Sequence, residues 1–197
     1  MQKILIATKN EGKMKEFRRM LEPLGYEVVS AASEGITEDV EETGTTFLEN
    51  AILKAVSVCK ASGMPSIGDD SGLCVDALGG DPGVYTARYA GPEKNNEKNI
   101  QKLLDNLKDV PDEQRGAHFE AALACAFPDG KILKAVGQCY GTILHAKQGE
   151  DGFGYDPIFS VDGKSFAEIS REEKDKISHR GKALRRLLEL MKEDKDL

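Results

Sequence analysis

The run from Ala117 to Tyr140 constrains the fold more than any other stretch. Ala117, Phe119, Ala121, Leu123, Cys125 and Phe127 alternate strictly with residues of the opposite face, Pro128-Asp129-Gly130 follows, and a second extended run covers Lys131 to Tyr140. A period of two is the strand period, and Pro, Asp and Gly between two such runs make a β-hairpin. The start of the chain follows another rule. Lys3-Ile4-Leu5-Ile6-Ala7 is a short buried-strand run that breaks at Thr8 to Lys13. Met14, Phe17, Met20, Leu21 and Leu24 then recur at helical spacing, Pro23 and Gly25 close the segment, and Tyr26 to Ser30 reads as a second strand. Strand-helix-strand units place strands parallel, whereas a hairpin places them antiparallel, so the sequence predicts an α/β fold with a mixed sheet.

Three further helices carry their own signals. Thr46-Phe47-Leu48-Glu49 is a capping box followed by the stripe Leu48, Ala51, Ile52, Ala55, Val58 and Cys59. Ile100, Leu103, Leu104 and Leu107 mark a helix that Pro111 ends. Ser170 to Glu173 is another capping box, and a closing helix has Arg180, Leu184, Leu187, Leu188 and Met191 along one side. At 197 residues the chain suits a single domain, 1–197, of one body or two small lobes. A net charge of -7 argues against a nucleic acid polymer or an acidic membrane as the main partner. With neither a leader-type apolar segment nor a run of membrane length, the expected location is the cytoplasm. Cys59, Cys74, Cys125 and Cys139 never pair as Cys-x-x-Cys and are read as small buried hydrophobes.

Several polar stretches stand out from this scaffold. Gly68-Asp69-Asp70-Ser71-Gly72 follows the apolar run Pro65 to Ile67 and reads as a strand end delivering two carboxylates and a hydroxyl in a turn. Thr8, Asn10 and Lys13 offer a hydroxyl, an amide and an ammonium beside a helix N-terminus, a place suited to phosphate, although no Gly-x-x-x-x-Gly-Lys-Ser/Thr loop is present. Glu41 and Glu42 close the acidic connection Glu34 to Glu42, and Lys54 shares a helix face with Asn50 one turn earlier. Gly149 to Pro157 sets Phe153, Tyr155 and two aspartates among glycines, so the backbone can approach a ligand and an aromatic can stack on a planar ring. Lys174, Lys176, Ser178, His179 and Arg180 cluster where the last helix begins, and His118 reads as a surface or packing residue.

Together these motifs resemble the Ham1/RdgB-type inosine triphosphate pyrophosphatases across essentially the whole chain. The resemblance rests on Thr8-x-Asn10-x-x-Lys13, Glu41-Glu42-Thr43-Gly44 with Glu49-Asn50-Ala51-x-x-Lys54, Asp69-Asp70-Ser71-Gly72-Leu73, Gly79-Gly80-x-Pro82-Gly83 with Thr86 to Tyr89, Gly152 to Pro157, and Ser178-His179-Arg180. It implies an elongated mixed α/β sheet with flanking helices and two lobes around a central cleft, a homodimer, and hydrolysis of ITP, dITP and XTP to monophosphate and pyrophosphate. It further implies that Thr8, Asn10, Lys13, Lys54 and Ser71 hold the triphosphate, that Glu41 and Asp70 bind Mg2+, and that Asp70 accepts the proton. Phe153 would stack on the purine, Gly154 and Tyr155 would belong to the same substrate-binding loop, Asp156 would bond the ring, and Lys174, His179 and Arg180 would surround the base. Lys176 receives no role.

The chemistry is coherent on general grounds. A free aspartate is a weak base near neutral pH, so a metal must acidify the attacking water. Hypoxanthine and xanthine present an oxo group where adenine presents an amine, so a donor at that position discriminates between them. Two rivals share parts of this chemistry: a Maf-like pyrophosphatase of modified pyrimidines or 7-methylguanosine triphosphate, and a nucleotide sensor without turnover.

Overall fold

The computed structural model describes residues 2–37 and 40–195, without the side chain of Lys195. Glu38 and Asp39, inside the acidic connection, lie outside the described residues. Strands β1 (Gln2–Ala7), β2 (Tyr26–Ser30), β3 (Ser66–Val75), β4 (Gly116–Ala126), β5 (Ile132–Ile143), β6 (Phe159–Val161) and β7 (Lys164–Ser165) form one sheet in the order β2-β1-β3-β4-β5-β6-β7. Helices α1 (Glu11–Leu21), α2 (Phe47–Ser62), α3 (Asn96–Asn106), α4 (Arg171–Ile177) and α5 (His179–Lys195) complete the fold. The parallel pairs β1/β2 and β1/β3 follow the strand-helix pattern of the N-terminal third, and β5/β6 and β6/β7 are antiparallel, so the sheet is mixed. No described helix is long and apolar enough to cross a membrane.

The chain divides into two compact units. The first comprises Met1–Asp70, Ala121–Gly137 and Arg180–Leu197. Its core joins Ile4, Ile6 and Ile67 to Met14, Phe17 and Leu21 of α1, Leu123 and Cys125 of β4, and Leu184, Leu187 and Met191 of α5. A second cluster, Leu5, Ala7, Ala31 and Val58, occupies the other side of β1, as alternation along a strand requires. The other unit comprises Ser71–Glu120 and Gln138–His179. There Leu73 and Val75 pack with Ile100, Leu103 and Leu107 of α3 and with Phe119, Tyr155, Phe159 and Phe166. Arg115, almost fully buried, ties this unit by donating to the carbonyls of Leu107, Ile143 and Leu144.

Both expected capping boxes are present, at Thr46/Glu49 and Ser170/Glu173. The hairpin turn closes through the Gly130 N–H on the Phe127 carbonyl and the Lys131 N–H on Asp129 Oδ1. Three of the four cysteines are buried and Cys74 is half-buried. His118 packs on Tyr140 at 5.2 Å between ring centroids.

One local expectation is overturned. Gly68 to Gly72 is no turn: β3 runs unbroken through both aspartates to Val75. Strand propensity loses here to sheet pairing, and Ala7 pairs with Gly68 in the β1/β3 register. The glycine also serves packing. A Cβ at Gly68 would lie 2.0 Å from the Ala51 carbonyl oxygen and 2.7 Å from the Ala55 nitrogen, so its absence lets α2 lie directly against the strand.

Candidate functional site

Successive residues of a strand face opposite ways, and this gives the neighbours Asp69 and Asp70 different surroundings. Asp69 is fully buried and meets three cationic contacts. Arg180 Nε donates to its Oδ2 at 2.6 Å, Arg180 Nη2 to its Oδ1 at 3.4 Å, and Lys13 Nζ to its Oδ1 at 2.6 Å. Arg180 Nη1 donates to Glu16 Oε2 at 2.5 Å, and Glu16 is itself buried. Burial alone would raise the Asp69 pKa, but Arg180 and Lys13 hold it well below the usual carboxylate range. Burial pulls the Lys13 pKa down, and Asp69 restores only part of the difference.

Asp70 turns instead toward α2. Asn50 Nδ2 donates to its Oδ2 at 3.2 Å and Lys54 Nζ to its Oδ1 at 2.8 Å, a grip made possible because Asn50 and Lys54 are one helical turn apart. Lys54 also reaches Glu42 Oε1 at 2.6 Å and the Asp69 carbonyl at 3.2 Å. The Asn50 side chain spans further, accepting from the Gly44 N–H at 2.8 Å. A Cβ at Gly44 would stand 2.6 Å from that Asn50 oxygen, so the segment after Glu42 can approach only as glycine. Burial pushes the Asp70 carboxyl above its ordinary value in spite of Lys54 and Lys13. The two acids therefore differ in kind: Asp69 is a locked anion, and Asp70 is a carboxylate in a less charge-compensated setting.

At the start of α1, Asn10 is the N-cap: its Oδ1 accepts from the Lys13 N–H at 3.0 Å, and the Asn10 N–H donates to Thr8 Oγ1 at 3.2 Å. Thr8 and Asn10 thus flank the free N–H groups of the helix while Lys13 sends its ammonium inward. Glu41, expected as a metal ligand, has an exposed side chain, and it is Glu42 that contacts Lys54. Among the described residues no group of three or more His, Cys, Asp and Glu converges as a ready metal centre.

In the other unit, Asp156 Oδ2 accepts from the Phe153 N–H at 2.8 Å and from Lys174 Nζ at 2.6 Å, and both charged side chains are nearly fully buried. The Lys174 ammonium also lies 4.8 Å from the Phe153 ring centroid and 5.6 Å from that of Phe166. Gly152, at φ +82°, is required here because a Cβ would sit 2.2 Å from Asp156 Oδ2. Gly154 also has positive φ, at +60°. Tyr155 is buried with its hydroxyl donating to the Thr86 carbonyl at 2.8 Å, and His179 stacks on Phe119 at 4.7 Å. Ser71 belongs to this unit, as the first residue after the acidic pair.

The structure thus groups Lys13, Lys54 and Asp70 in one place, with Thr8 and Asn10 at the helix start that carries Lys13, and separately groups Phe153, Asp156 and Lys174. Arg180, expected beside a base, directs three donor contacts to Asp69 and Glu16. Sequence reasoning missed Glu16 altogether, and it singled out Asp69 and Asn50 without the partners the structure gives them. The only local signals were their spacings, Glu16 three residues after Lys13 and Asn50 four before Lys54.

The chain is similar to known proteins along nearly its whole length. A model of the Ham1 family matches residues 4–190. The chain is 51% identical over 193 residues to a dITP/XTP pyrophosphatase of Bacillus subtilis (strain 168), covering 97% of this chain and 98% of the relative. It is 49% identical over 196 residues to the dITP/XTP pyrophosphatase of Escherichia coli O157:H7, covering 98% and 99%. The Staphylococcus aureus Ham1 protein structure superposes with a TM-score of 0.86 at 42% identity, covering 98% of this chain and all of that one. A dITP/XTP pyrophosphatase from Mycobacterium abscessus matches with a TM-score of 0.75 at 43% identity, covering 96% and 100%. With a family model spanning nearly the whole sequence and relatives at about half identity end to end, this chain belongs to the Ham1 family.

Proposed function

We propose that this protein hydrolyses the α–β phosphoanhydride of deaminated purine nucleoside triphosphates, ITP, dITP and XTP, to the monophosphate and pyrophosphate. The observation that carries the reading is the pair of consecutive buried acids on β3, one neutralised by Arg180 and Lys13 and the other held by Lys54 and Asn50. Such a pair brings lysines for phosphate charge and a carboxylate for water together on rigid elements. The relatives' names as dITP/XTP pyrophosphatases support the substrate class.

Thr8, Asn10, Lys13, Lys54 and Ser71 are the phosphate-binding groups in this reading, and Asp70 orients the attacking water and accepts its proton. Asp70 and the acids of the Glu41-Glu42 segment are the Mg2+ ligands. The donor set fits a hard cation, since Glu42 and Asp70, from separate segments, already direct carboxylate oxygens at one positive charge, Lys54. Bound Mg2+ supplies phosphate charge neutralisation and lowers the pKa of the attacking water.

Base recognition falls to Phe153, Gly154, Tyr155, Asp156, Lys174 and His179, while Arg180, which donates to Asp69 and Glu16, serves to hold Asp69 in place. The Phe153 ring offers a stacking face, and Asp156 fixes that loop through the Phe153 N–H. A donor that pairs with the oxo group of hypoxanthine or xanthine is left unpaired by adenine, which costs about 1 to 3 kcal/mol and gives roughly tenfold discrimination or more. The protein acts in the cytoplasm as a homodimer of two-lobed chains.

The test is pyrophosphate release from a panel of triphosphates with Mg2+. Release from ITP, dITP and XTP well above ATP and GTP is the expected result. A preference for modified pyrimidines or 7-methylguanosine triphosphate would replace this reading with a Maf-like one, and binding without turnover would make the protein a sensor.

A further inference from the structure

An ammonium has three N–H donors, and the structure gives Lys54 three oxygens: Glu42 Oε1 at 2.6 Å, Asp70 Oδ1 at 2.8 Å and the Asp69 carbonyl at 3.2 Å. Carboxylate and carbonyl oxygens of this kind are also what a hard divalent cation takes. The two carboxylates, Glu42 and Asp70, against the one ammonium of Lys54 leave a net negative charge in this contact.

The neighbouring pair shows the contrast. Asp69 has both oxygens committed to Arg180 and Lys13, and its side chain and that of Arg180 are sealed from solvent. The Lys54 side chain keeps 14% of its surface exposed and Glu42 keeps 31%, so the ammonium can leave by a change of rotamer. Asp70 would stay aimed when it does, because Asn50 holds its other oxygen.

We propose that Lys54 is a built-in competitor of the divalent cation: its ammonium and the metal contend for the Asp70 carboxylate, so metal binding releases Lys54 Nζ, and the released ammonium becomes available to a phosphate. This rests on the reading of Asp70 as a metal ligand given above. It explains how one lysine can be saturated by protein oxygens and still serve a triphosphate. It also couples the two ligands, because whatever draws Lys54 away strengthens metal binding by the same factor.

The test measures Mn2+ binding without nucleotide, by the loss of the free-ion electron paramagnetic resonance signal, in the wild type, Lys54→Gln, Lys54→Met and Asp70→Asn. Removing a charge-assisted bond to the competing ammonium is expected to tighten Mn2+ binding about tenfold or more in both Lys54 variants, and Asp70→Asn should abolish it. Lys54 variants that bind no more tightly than the wild type, with binding still lost in Asp70→Asn, would overturn the competition and leave the metal site standing. Binding absent throughout, or unchanged in Asp70→Asn, would remove the metal site and the competition together. If the Lys54 variants do not fold alone, recovery of a cooperative unfolding transition on adding Mn2+ supports the proposal and failure to recover refutes it.

Discussion

Replacing Asp69 by Asn tests the most heavily charged contact in the first unit. The change is nearly isosteric, so it removes charge while leaving volume. Arg180 would keep Glu16 alone, and Lys13, bonded to Asp69 at 2.6 Å, would lose the carboxylate that offsets its burial. Breaking a buried ion pair by removing one partner costs about 3 to 5 kcal/mol, against a total stability of roughly 5 to 15 kcal/mol for a domain. In a chain of this size that corresponds to a fall of roughly 6 to 20 °C in Tm. Urea unfolding at pH 7 and calorimetry would measure it. The pH dependence follows from the sign of the shift. The Asp69 pKa is depressed in the folded state, so its stabilisation is fully present above the unfolded value of about 3.9 and is lost as pH falls below it toward the folded value. The gap between wild type and Asp69→Asn should therefore stay constant from pH 7 to about 4 and narrow only in stronger acid. A variant within about 1 kcal/mol of the wild type at pH 7 would refute the claim that this network is held together by charge.

Three further outcomes follow from the same geometry. Asp70→Asn should lower kcat for ITP by about a hundredfold or more at saturating Mg2+, as loss of a general base does, and near-normal turnover would remove Asp70 from that role. Gly68→Ala should force α2 off β3 and lower Tm by several degrees, because its Cβ would meet backbone atoms of Ala51 and Ala55 rather than a movable side chain; an unchanged Tm in thermal unfolding would show that the helix has room. Burial pushes the Cys125 thiol up to about 12 and Cys74 up to about 11, so at pH 8 each is thiolate on the order of one part in a thousand or less. Iodoacetamide should label Cys125 only after unfolding and the half-buried Cys74 slowly in the native protein, and rapid native labelling of Cys125, read by mass spectrometry, would contradict its burial.

Much of the architecture was legible in the sequence because it is local. The capping boxes at Thr46 and Ser170, the stripe of α2 and the hairpin turn at Pro128 to Gly130 all depend on residues within a few positions of one another, and side-chain period reports them directly. The grouping of Asn50 with Lys54 was legible for the same reason, although its object was not. Gly68 to Gly72 was misread because turn propensity is a weak preference that backbone pairing with β1 outweighs, and nothing local announces the pairing.

What the tertiary structure alone decided is which charges meet. Lys13 is 56 residues from Asp69 and Arg180 is 111 residues from it, separations at which no spacing rule applies. The sequence by itself determined the helices, the mixed sheet and the presence of two adjacent acids. Only packing of α1, α2 and α5 around one strand decided that Asp69 would be a locked counter-ion and Asp70 a carboxylate held by Lys54 and Asn50, because a strand turns consecutive side chains to opposite faces and each face receives different helices.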